Sequence, residues 1–64
     1  MKEQLLKVVR EQESVMLKLR DSLIRRNIPL NDNKSWLYER AKIVGMIDML
    51  DVLSIDRKEF NWIF

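Results

Sequence analysis

Four serines, Ser14, Ser22, Ser35 and Ser54, are the only aliphatic hydroxyls in this chain of 64 residues. A serine nucleophile needs a neighbouring base to take its proton, and the chain has no histidine. It also has no cysteine, which removes thiolate chemistry, disulfides and the usual zinc ligands. The carboxylates Asp48, Asp51, Asp56 and Glu59 are the remaining candidates for a divalent cation. Such an ion needs several oxygens converging from a loop, whereas Asp48 and Asp51 stand beside apolar positions of a helical pattern. A single glycine rules out a glycine-rich phosphate cradle. No catalytic activity, cofactor or metal site is expected.

Two other groups of side chains carry binding chemistry. Lys18, Arg20, Arg25, Arg26 and Lys34 gather towards one region, as a small DNA-binding regulator would need. Asp21 and Asp32 lie among them, Leu23 and Ile24 are required for a core, and the net charge is only +2. A solvated helix end, favourable to the helix dipole, is the competing reading. The second group is aromatic and aliphatic: Trp36, Phe60, Trp62, Ile63 and Phe64. Residues of this kind dominate interface energetics. Here they either bind a partner or fold back to plug the end of the fold, and the sequence leaves both open.

The elements that position these residues are helices. One glycine, one proline and no threonine leave too few turn and β-branched residues for a sheet. Leu5, Val9, Gln12, Met16, Leu19 and Leu23 recur at spacings of four and three, a seam against a neighbouring helix, with Val8 and Val15 widening it. Gln12 either sets the register of that seam or looks outward from its edge. Helix 1 is expected over about 2–26 and the loop over 27–34, where Pro29 and the Asn/Asp cluster break the pattern. Helix 2 follows over about 35–53, capped by Asp32, Asn33 or Ser35. A short helical turn at 56–64 would open with a capping box from Asp56 to Glu59 and carry Phe60, Ile63 and Phe64 on one face.

Residues 1–34 carry eight Lys/Arg against five Asp/Glu, and residues 35–64 carry four against five. With 47% hydrophobic and 34% charged residues, the chain is a folded protein rather than a disordered one. No apolar run approaches the roughly 20 residues of a membrane span. Charges interrupt the apolar residues at the N-terminus, unlike a signal peptide, so a cytoplasmic protein is expected.

Sixty-four residues bury a small core, and oligomerisation is the staple left once disulfides and metals are gone. Ile43, Met46, Ile47, Leu50 and Leu53 form a wide apolar arc on helix 2, more than one partner helix covers. Ala41 and Gly45 leave a shallow notch beside it, where a helix backbone could cross closely. The expected architecture is all-α: an antiparallel helical hairpin with a short C-terminal aromatic turn. Two hairpins would form a homodimeric four-helix bundle, meeting through Ala41, Ile43, Gly45, Ile47 and Leu50.

The stretch Tyr38-Glu-Arg-Ala-Lys-Ile-Val-Gly-Met-Ile-Asp-Met-Leu-Asp-Val-Leu53 resembles small helical phage and prophage proteins of Gram-positive bacteria. The likeness covers about a quarter of the chain and transfers no functional residue. It implies a non-catalytic protein-binding module that modulates or inhibits a host or phage protein. The alternatives are the DNA-binding regulator and a purely structural oligomerisation unit.

Overall fold

Between Lys2 and Ile28 no glycine or proline interrupts the chain, and helix α1 occupies Lys2–Arg25. Helix α2 occupies Lys34–Val52, and a short 3-10 segment, Lys58–Ile63, closes the chain. The computed structural model describes all of residues 1–64, with no strand. The expected all-α hairpin is the architecture found, within a residue or two of the anticipated boundaries.

Local chemistry sets each boundary. Asn33 caps α2, its side-chain oxygen accepting the Trp36 N–H at 2.9 Å; of the three candidate caps, Asn33 alone does this. Both helices stop by the same device. Asn27 and Ser54 take left-handed conformations, with φ of 56° and 58°. The following residue then donates back: Ile28 N–H to the Leu23 carbonyl and Ile55 N–H to the Leu50 carbonyl, each at 2.9 Å. These are Schellman caps. They turn Ile28 and Ile55 onto the core, where both are partly buried. Asparagine tolerates the left-handed region well; serine does so at some cost.

The helices run antiparallel and share a core of Leu6, Val9, Met16 and Leu23 with Trp36, Ile43, Ile47 and Leu50. Phe60 and Ile63 of the 3-10 segment complete it, Phe60 with no exposed surface at all. At three residues per turn, Phe60 and Ile63 eclipse and Phe64 swings out, so the three do not share a face. Leu6 is buried as well as the anticipated seam because the tail lies over that side of α1. No helix is long and apolar enough to cross a membrane.

Gln12 is the one buried polar residue. Its amide nitrogen donates across the hairpin to the Glu39 carboxylate, which Lys42 also approaches, at 3.5 Å. Gln12 therefore faces α2. A polar pair between two apolar stripes penalises sliding of one helix along the other, because a shifted register leaves the buried Gln12 amide unpaired.

Charged groups clasp the tail to α1. Arg10 donates twice to the Glu59 carboxylate, at 2.8 and 3.1 Å, and Trp62 donates its indole N–H to Glu13 at 2.8 Å. Arg20 stacks over the Trp62 ring, 5.3 Å from its centre. On the other side Arg57 reaches Asp51 at 3.3 Å. Glu59 is thus drawn to Arg10 and does not reach back to close a capping box. Asp56 instead accepts the Lys58 N–H at 2.9 Å, a local turn.

Phe60→Ala is expected to remove about 3–5 kcal/mol, comparable with the roughly 3–10 kcal/mol that holds a domain of this size. Thermal denaturation followed by circular dichroism checks this; a variant melting within a few degrees of the parent would show that the tail is not core. The hydrogen bonds and charge of Arg10 hold the Glu59 carboxyl below its ordinary range. The clasp therefore contributes stability above the ordinary carboxylate pKa, and loses it as pH falls through the lowered value. The effect is small because both groups are exposed. Urea midpoints measured from neutral to acid pH should fall less in Glu59→Gln than in the parent, and parallel curves would contradict the pairing.

Candidate interaction surface

The tail fills one side of the groove between the helices. Its contacts with α1 run along Arg10, Glu13 and Arg20, which lie near one another on the helix surface. Nothing in the chain covers the opposite side. There the groove is lined only by apolar side chains, Leu5, Val8 and Val9 from α1 with Met46, Met49 and Leu50 from α2, around a cavity of about 130 Å³. Val8, Val15, Met49 and Leu53 are each about half exposed. Leu5, Leu19 and Met46 are partly buried along the same side. Isolated exposed apolar residues are ordinary on a protein surface, but a continuous strip of them marks a site of association.

The residues expected to mediate self-association are divided by the fold. Ile43, Ile47 and Leu50 are almost wholly enclosed by α1 and the tail, so a second copy would not reach them. The tail supplies the third wall that one partner helix lacks, so the alternative in which it folds back onto the hairpin accounts for this burial. Ala41 and Gly45 are exposed on the outer side of α2. A methyl group added at Gly45 would meet nothing within 4 Å, so no helix of this chain crosses at the notch.

The candidate partner-binding residues divide in the same way. Trp36, Phe60 and Ile63 are core. Trp62 and Phe64 are 42% and 58% exposed, each with an arginine over its ring: Arg20 on Trp62, and Arg57 on Phe64 at 4.8 Å. Of the basic residues, Lys18, Arg25, Arg26 and Lys34 are exposed, while Arg20 is half-buried under Trp62. Arg25 donates to the Asp21 carbonyl at 3.3 Å. No group of three or more acidic side chains is placed to hold a metal ion.

Sequence reasoning missed the open side as a surface of its own, although Val8 and Val15 were seen to widen the seam. The signal was in their spacing of seven, which places both on a line rotated away from Val9 and Met16. No protein-family model, curated protein or solved structure matches this chain.

Gly45→Ala should raise the stability of the single chain by about 1 kcal/mol, since the site is open and helical. Chemical denaturation at low protein concentration measures this. A destabilised variant would mean that something not belonging to the chain packs at the notch.

Proposed function

We propose that this chain is a non-catalytic protein-binding module that acts in the cytoplasm as a homodimer and binds a further protein. The observation that carries the reading is the one-sided covering of the hairpin: the tail fills one groove, and an apolar groove of comparable position stays open on the other side. A fold this small gains from burying that strip, and a second copy supplies the complementary apolar surface.

Trp62 and Phe64, on the tail side, remain outside such a dimer. Exposed aromatics with stacked arginines have the composition that interface hot spots favour. They are the surface we assign to the further protein. A role in modulating a host or phage protein is consistent with the likeness of residues 38–53 to small phage proteins. The DNA-binding alternative has less behind it: Arg20 is engaged by Trp62, Arg25 bonds its own helix, and the acids Asp21 and Asp32 stand among the basic residues.

Affinity capture with the parent and with a Trp62→Ala/Phe64→Ala variant tests the second surface. The parent should retain a partner that the variant loses by tenfold or more, since one hot-spot residue is commonly worth about 2 kcal/mol or above. Circular dichroism should show the variant still helical. Equal retention by both proteins, or retention of nothing by either, would overturn this part of the reading.

A further inference from the structure

The open side of α1 has a second periodicity beside the one buried in the chain. Leu5, Val8, Gln12, Val15, Leu19 and Ser22 recur at spacings of three and four, and no charged residue interrupts them. Along the outer edge of this strip, at intervals of seven, stand Gln4, Glu11, Lys18 and Arg25, all exposed. The inner edge is Val9, Met16 and Leu23, which face α2 and the core. This is the layout of a coiled-coil seam with one charged flank.

We infer that the open side is occupied by a second copy of the chain, with the two α1 helices antiparallel about a two-fold axis between Gln12 and Val15. The residues themselves select this register. Around that axis Leu5 lies against the partner's Ser22 and Val8 against the partner's Leu19, while the partner's Val15 closes over the edge of Gln12, which is itself turned to α2 and only 8% exposed. Each layer joins apolar or uncharged groups. The flank then pairs by charge: Glu11 of each copy stands beside the partner's Lys18, twice by symmetry, and Gln4 stands beside the partner's Arg25.

A parallel dimer lacks this complementarity. It would bring equivalent residues to the same level, and the edge that Glu11 and Lys18 would need to meet is apolar and buried. Gln12 enters the seam already satisfied, because its amide donates to Glu39 within its own chain. The molecule measures 38 by 16 Å across this side, about 600 Å² in projection, which falls short of the roughly 800 Å² per partner of a standard interface and is the size of the smaller, weaker ones. The Met46 and Met49 side chains rim the same groove and adapt readily to a neighbour's shape.

The inference rests on the homodimer reading above and adds its face and register. Sedimentation equilibrium at low salt, where exposed charges are least screened, tests both. The parent should be dimeric at micromolar concentration. Glu11→Lys sets two lysines beside each other on either side of the axis, and Lys18→Glu sets two carboxylates together. Each should weaken the dimer by about tenfold, and the double variant, which exchanges the charges, should restore it to within about threefold of the parent. Both positions are exposed in the single chain, and circular dichroism confirms that each variant folds. Val15→Glu, at the centre of the strip, should abolish the dimer while leaving the helices intact. A dimeric parent whose single variants are unaffected, or whose double variant is not restored, would overturn the register and leave a homodimer of other geometry. A parent that stays monomeric at about 100 µM would overturn the register and the homodimer reading together.

Discussion

Two helices touch along a line, and a line of contact does not enclose a side chain. Everything else in this fold follows from how that limit is met. The third wall is the 3-10 segment, which carries Phe60 and Ile63 into the angle between α1 and α2 and leaves Phe60 without solvent contact. With that wall in place, Ile43, Ile47 and Leu50 become interior residues of a single chain. The wall is also one-sided. A six-residue segment covers one groove of the hairpin, so the molecule has a closed side and an open side.

Polar contacts give this small core its definition. Apolar stripes alone tolerate a slide by one helical turn, since leucine, isoleucine and methionine replace one another at modest cost. Gln12 and Glu39 remove that freedom between the helices, and the Arg10–Glu59 and Glu13–Trp62 contacts remove it for the tail. None of the exposed pairs contributes much energy by itself. Their value is in the position they impose on Phe60, whose burial is the large term.

The helices, their loop and most of the α1 seam were legible in the sequence because each rests on local signals. Periodicity marked the seam, Pro29 with the asparagines marked the break, and Asn33 was among the residues able to cap α2. The side on which the tail would dock was not legible. Phe60, Ile63 and Phe64 read as one helical face at 3.6 residues per turn, and the tighter 3-10 winding separates Phe64 from the other two. Glu59 read as half of a capping box, yet its partner is Arg10, 49 residues away, and no local pattern encodes that pairing. The open side was hidden for a related reason: the sequence allows the tail either to cover the hairpin or to leave it, and only its docked position shows that it closes one groove and leaves the other bare.

The clasp of the tail also fixes an order of events. Arg10 and Glu13 meet Glu59 and Trp62 across 49 residues each, whereas the helices and both corners form from contacts within a few residues. As a ribosome releases the chain, α1, the loop and α2 emerge before the residues that seal them. Until Phe60 follows, both grooves of the nascent hairpin are equally bare, and any apolar strand or helix nearby competes for the place of the tail. The short reach from Ile55 to Phe60 then becomes a kinetic asset: a segment tethered five residues away arrives at high local concentration and displaces such competitors.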